Sequence, residues 1–318
     1  MSQIDCIYVA ASTHDARYTR TCVASIRYFY PEIPIWLLAG GRLQRGLSDE
    51  LKQYWSVGIV DLPAGDYGWG FVKLEALFGR PGERFLMLDS DTVLAGPVLQ
   101  AWNGSPVHFV VDDEKQSESD TEAIYYDWEK VLQFDTNARP PQFLFNTGQW
   151  FGTAGVLTRD DFDPWIEWSM PRRARPPGCF KNGEQGVLNY VFNQKVGRGE
   201  LLVDRRKILR YPPFGMNGLD AETVSKRAAP PLVVHWAGMK SARQRHMPGA
   251  DLLAFFENTY YERLPAGQVR RLLAVLRHFS TRWRGFGSSD VTFKLRAWAK
   301  YLYKKESGAK RPDVLAKR

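Results

Sequence analysis

Cysteine is scarce in this chain, and long apolar runs are missing altogether. Three cysteines, Cys6, Cys22 and Cys179, show no Cys-x-x-Cys spacing. An odd number with no signal peptide argues against a disulfide framework, so a reducing cytosol is the expected compartment. No stretch approaches the roughly 20 apolar residues that a membrane-spanning helix needs. The chain is therefore expected not to cross a bilayer by a helix, although it can still lie on one. What is present is ample core material: 44% of the 318 residues are apolar, enough for one large domain or two ordinary ones and too much for a disordered chain.

The net charge of +8 is unevenly placed. From Ala266 to Arg318 there are 14 Lys or Arg against 3 Asp or Glu, a net of +11, which leaves 29 minus 32, or −3, for residues 1–265. Within the basic stretch, residues 268–283 and 291–303 carry apolar positions at helical spacing: Leu272, Leu276 and Phe279 in the first, Leu295, Trp298, Tyr301 and Leu302 in the second. The expected organisation is a folded domain over 1–265 and a basic, amphipathic helical tail over 266–318. Basic helices with aromatic residues suit an anionic membrane surface, and the competing reading packs them on the domain or on a partner chain.

In the first 100 residues strand-like and helix-like segments alternate. Strands are predicted at Ile4 to Ala11, Ile33 to Gly40, Val57 to Leu62 and Phe85 to Leu88, and helices at Thr19 to Tyr30, at Ser48 to Trp55 with Ser48 as the cap, and at Phe71 to Phe78. Such alternation is the signature of a parallel sheet with crossover helices. The run Phe85-Leu86-Met87-Leu88 reads as a strand covered on both faces, and Asp89, Ser90 and Asp91 follow it directly. Open α/β sheets place ligands at the carboxyl ends of their strands, and two carboxylates one residue apart can share a divalent cation that also binds phosphate. The same Asp-x-Asp pattern at Asp161 and Asp163 reads instead as the acidic opening of a short helix.

Ser12, Asp15 and Tyr18, after the first strand, either face the same crevice or cap the next helix. Lys73 either reaches a phosphate or is solvated. Past Val98 the alternation loosens: a strand at Val107 to Val111, an acidic linker, a helix around Thr121 to Phe134, and then Asn146, Thr147 and Gly148 between apolar segments, where turn chemistry is a sufficient explanation. Glu184 and Gln185 open a helix with apolar residues at Val187, Leu188, Val191 and Phe192. Residues 231–240, PLVVHWAGMK, read as a strand leading into His235.

Taken in order, LDSD (residues 88–91), FNTG (145–148), GEQGVLN (183–189) and VHWAGMK (234–240) resemble the motifs of GT-A-fold glycosyltransferases, in particular family eight, the glycogenin and lipooligosaccharide galactosyltransferase group. The resemblance covers roughly residues 4–245. It implies an α/β, Rossmann-like GT-A fold with a mostly parallel central sheet, a donor half over about 1–110 and an acceptor half over about 111–265. It further implies Mn2+, or Mg2+, held by Asp89, Asp91 and His235, with Lys240 beside the β-phosphate of a nucleotide sugar and Gly238 retained from the family's motif. Ser12, Asp15, Lys73, Ser90, Asn146 and Gly148 fall at donor-binding positions, and Glu184 and Gln185 at the catalytic pair. Glu184 stands where the family has aspartate, and the STHD segment after the first strand departs from the family's base-contacting residues.

The implied activity is metal-dependent sugar transfer from a nucleoside-diphosphate donor, first of all a UDP-sugar, to a hydroxyl acceptor such as a cell-envelope or lipid-linked glycan. Retention is expected if Gln185 occupies the β-face of the sugar, and inversion if Glu184 acts as a base on the acceptor side. The expected location is cytoplasmic, peripheral on the inner face of the membrane through the tail. Two rivals remain. DSDTVL also fits a haloacid-dehalogenase-like phosphatase with Asp89 as nucleophile, although 88 residues precede it and no later strand ends in the acidic pair that chemistry needs. Cations interleaved with aromatics in the tail also suit nucleic acid, but the tail's amphipathic spacing ranks that reading last.

Overall fold

A computed structural model describes residues 4–102, 106–113, 121–239 and 247–273. The chain divides into two units, Met1–Pro265 and Ala266–Arg318. Of the second, residues 267–273 are helical, and most of the two basic helices expected in the tail lies outside the described residues. No helix among the described residues is long and apolar enough to cross a membrane.

The first unit is built on strands β1 (Cys6–Ala11), β2 (Ile35–Ala39), β3 (Val57–Ile59), β4 (Arg84–Asp89), β5 (Thr92–Leu94), β6 (Phe109–Asp112), β7 (Gln149–Thr153), a small β8–β9 hairpin (Ile166–Glu167 and Arg173–Ala174), β10 (Val203–Arg206), β11 (Leu209–Arg210) and β12 (Val233–His235). Seven of them form the main sheet in the order β10-β6-β7-β4-β1-β2-β3. Every neighbour pair is parallel except the two that β7 makes, with β4 and β6. A second sheet, β11-β12-β5, pairs β5 antiparallel with β12, and only Ser90 and Asp91 separate β5 from the end of β4.

The apolar runs explain this arrangement. Phe85, Leu86, Met87 and Leu88 of β4 are fully buried, as a strand covered on both faces must be. The helices are α1 (Ala16–Phe29), α2 (Leu47–Trp55), α3 (Trp128–Phe134), α4 (Glu184–Gly197), α5 (Ala221–Ser225) and α6 (Ala250–Glu262). Four local expectations need correction. The residue that precedes α2 as its cap is Gly46, in a left-handed conformation, and not Ser48. Residues Phe71–Ala76 wind as a 3-10 helix, with Gly70 at φ 75° setting its start. The segment expected as one helix over 121–134 is a π turn at Thr121–Tyr125 followed by the short α3. Finally, α4 buries every residue from Glu184 to Gln194 instead of one stripe, because its asparagines and glutamines are themselves used inside. Asn189 and Asn193 bond the backbone of Phe145 and Phe143 on both their donor and acceptor atoms, so the polar face of the helix docks on the extended chain leading to β7.

Asp161 behaves as read: it accepts from the backbone of Thr158 at 2.8 Å in the capping box of the short 3-10 helix Arg159–Asp161, and it pairs with Lys195. Asp163 does not: it lies past that helix and accepts from the Trp168 indole.

Phe85 sits edge-on to both Tyr8 and Trp150 at ring separations of 5.5 and 5.2 Å. Phe85→Ala should therefore cost about 3–5 kcal/mol of stability, measured as a lower urea midpoint with unchanged slope.

Candidate functional site

The site is assembled where β4 stops. The Asp89 N–H donates to the Gly148 carbonyl at 2.9 Å and the Ser90 N–H to the Ala10 carbonyl at 3.1 Å, so the turn after β4 is pinned to both flanking strands. Thr92 Oγ donates back to the Asp89 carbonyl at 2.7 Å, and the chain then enters the second sheet, where Thr92 lies opposite His235. The Trp236 N–H closes the pairing on the Asp91 carbonyl at 3.0 Å. Backbone register alone thus delivers a histidine from 144 residues downstream to Asp91.

His235 Nε2 lies 3.4 Å from Asp91 Oδ1 and 3.9 Å from Asp89 Oδ2. Donor atoms of the three residues fall within 4.8 Å of one another, and among the described residues this is the one such group of three. The donors face each other at separations too wide for good direct hydrogen bonds, and two carboxylate oxygens with an imidazole nitrogen form a set that suits a divalent ion. The buried Nδ1 of His235 has no protein partner. Gly148 makes room for the ring: a β-carbon there would stand 2.3 Å from His235 Cε1. That position needs glycine for space.

Beside this cluster Lys73, only 4% exposed, holds the charge balance. Its ammonium pairs with Asp89 at 3.1 Å and with Glu184, and donates to the carbonyl and hydroxyl of Thr147, both at 3.2 Å. Desolvation by burial opposes its charge, yet the Asp89 and Glu184 carboxylates outweigh it and hold the Lys73 pKa up at about 12. Glu184 is pushed upward by burial, an effect that Lys73 opposes. Its Oε1 accepts from Thr147 at 2.8 Å; its Oε2 has no protein partner and faces Gly70, where any β-carbon would overlap it. Gln185 Oε1 accepts from the Thr147 N–H at 3.2 Å. Lys73 is thus neither solvated nor a lone helix lysine.

Other predicted residues gather on the same edge of the sheet. Ser12 and Asp15 follow β1, and Ser12 Oγ donates to Asp15 at 2.9 Å; neither side chain makes a helix-capping bond, so the capping reading fails for both. Ser90 Oγ is buried without a protein partner. Asn146 Oδ1 accepts from the Gly148 N–H at 2.7 Å, which is turn chemistry at the rim of the site. Gly238, at φ 73°, turns the chain just past His235, and Lys240 lies outside the described residues. Sequence reasoning missed Thr147 as the hub joining Lys73, Glu184 and Gln185, and missed Gly70 against Glu184; the Asn-Thr-Gly and Gly-Trp-Gly turns were the available signals.

Burial of Lys73 among carboxylates makes its removal costly. Lys73→Met should destabilise the fold by about 3–5 kcal/mol, and adding Glu184→Gln should recover part of that loss in thermal melts.

No family model matches the chain, and no curated protein matches it in sequence. Solved structures do. The bifunctional glycosyltransferase WbbM aligns over 82% of this chain and 50% of its own, at 13% identity and a TM-score of 0.52. The galactosyltransferase LgtC, in complex with donor and acceptor sugar analogs, aligns over 80% of this chain and 94% of its own, at 14% identity and 0.52. An active-site mutant of LgtC aligns over 80% and 95%, at 12% identity and 0.53. The chain spans half the length of WbbM and nearly all of LgtC, and at these identities the likeness is one of architecture: the fold is that of the GT-A glycosyltransferases.

Proposed function

We propose that the protein is a metal-dependent glycosyltransferase that moves a sugar from a nucleoside-diphosphate donor, first of all a UDP-sugar, to a hydroxyl on a cell-envelope or lipid-linked glycan. The observation that carries this reading is the meeting of Asp89, Asp91 and His235 at the carboxyl edge of the main sheet, with donor atoms within 4.8 Å of one another. These three side chains would hold Mn2+ or Mg2+, which when bound supplies Lewis-acid stabilisation of a departing diphosphate; the imidazole favours manganese.

In this reading Ser12 and Asp15 face the nucleoside, Ser90, Asn146 and Gly148 line the donor, and Gly238 and Lys240 approach the diphosphate. Lys73 orients Asp89 and neutralises the pocket that receives the sugar. Retention is favoured over inversion. Glu184 is 1% exposed and tied through Oε1 to Lys73 and Thr147, which argues against its serving as base to an acceptor hydroxyl. Gln185, next to it and slightly more open, is then the side chain nearer the sugar. As for the phosphatase alternative, the third member of the Asp89 cluster is a histidine and not a later acidic pair.

The test is a panel of nucleotide sugars assayed for manganese-dependent turnover. The expected outcome is turnover of one donor by the wild type and at least a hundredfold loss in Asp91→Asn, with its melting temperature preserved, since one ligand is lost but the backbone pairing of Asp91 with Trp236 remains. Equal turnover in Asp91→Asn would exclude the metal role. The proposed membrane role of the tail predicts that a chain ending at Leu264 loses sedimentation with anionic vesicles and keeps turnover on soluble acceptors.

A further inference from the structure

Trp69 is 76% exposed, the most exposed of the large apolar side chains among the described residues, yet its loop is firmly anchored. Tyr67 and Phe71 on either side of it are buried, and the Arg172 guanidinium lies 4.3 Å from the centre of the Tyr67 ring. Gly68 and Gly70 take positive φ, and a β-carbon on Gly68 would stand 2.3 Å from the Arg172 carbonyl. On the far side the Trp69 carbonyl accepts from the Glu184 N–H at 3.4 Å, and a β-carbon on Gly183 would stand 2.0 Å from that carbonyl and 3.0 Å from Trp69 Cβ. An indole is thus held in water on a rigid mount, directly beside the first residue of α4 and outside the buried Lys73 network.

An indole held exposed on a fixed loop that hydrogen-bonds the first residue of α4 offers a flat apolar face to a ligand at this edge. The face of an indole carries partial negative charge, and its complement is the C–H face of a pyranose ring. With the donor assigned above to Asp89 and Gly148, the exposed indole beside Glu184 is left for the second sugar. We propose that Trp69 is the stacking wall for the acceptor saccharide and a determinant of acceptor specificity. This rests on the glycosyltransferase reading. The fixed loop means little ordering is needed on binding.

The test uses the full chain loaded with Mn2+ and uridine diphosphate, titrated calorimetrically with methyl β-galactopyranoside, methyl β-glucopyranoside and methyl α-mannopyranoside. Binding of at least one glycoside by the wild type, about tenfold weaker in Trp69→Ala and restored in Trp69→Phe, is the expected result, the scale of one aromatic stacking contact. Equal glycoside affinity in Trp69→Ala, or binding of none of the three by the wild type, overturns the assignment while uridine diphosphate still binds. Failure of the wild type to bind uridine diphosphate with Mn2+ overturns the glycosyltransferase reading, and this inference with it.

Discussion

Three carboxylates, those of Asp89, Asp91 and Glu184, converge at the end of one buried strand, and gathering like charges out of water is unfavourable unless cations are gathered with them. Lys73 answers for two of them, with its Nζ between Asp89 and Glu184. On the other side of Asp89, His235 Nε2 lies 3.9 Å from it and 3.4 Å from Asp91 Oδ1, a set of donors that could hold a divalent ion. Lys73 thus balances the charge of Asp89 and Glu184, while Asp91 and His235 stand together on the side of Asp89 away from it.

Each of these side chains reaches that point by a different structural device. Lys73 is delivered by a tight 3-10 turn entered through Gly70, His235 by register in the three-stranded sheet that pairs β12 with β5, and Glu184 by the first turn of a helix whose polar face is consumed in binding the backbone before β7. Thr147 ties the devices together because its hydroxyl both accepts from Lys73 and donates to Glu184. Two glycines are required by space, Gly148 beneath the imidazole and Gly70 against the Glu184 carboxylate, and Gly70 by its positive φ as well. Rigidity at these contacts pre-positions donor atoms, and pre-positioned charge is what stabilises charge developing in a leaving group.

Much of this was legible in the residues. The unbroken apolar run of β4 and the repeated strand–helix alternation announce a parallel sheet, since only a strand covered on both faces can be apolar at consecutive positions. Asp89 and Asp91 directly after it mark the ligand edge. The order of later motifs brought His235, Asn146, Gly148, Glu184 and Gln185 into view as a set, although any one alone read as turn or cap chemistry. Less legible were the segments whose structure depends on partners: the π turn before α3, the Gly46 cap of α2, and the full burial of α4, where amphipathic spacing was overridden by asparagines paired inside.

The sequence by itself determined the parallel core of the sheet and the strand end that carries the acidic pair, because these follow from local hydrophobic pattern and from where strands end. Only the tertiary structure decided that Lys73 is buried between Asp89 and Glu184, that His235 faces Asp91, and that Trp69 stands exposed beside Glu184. Those facts depend on separations of tens to more than a hundred residues closing to a few ångströms, and long-range register, helix docking and the space beside a glycine leave no periodic trace in the chain.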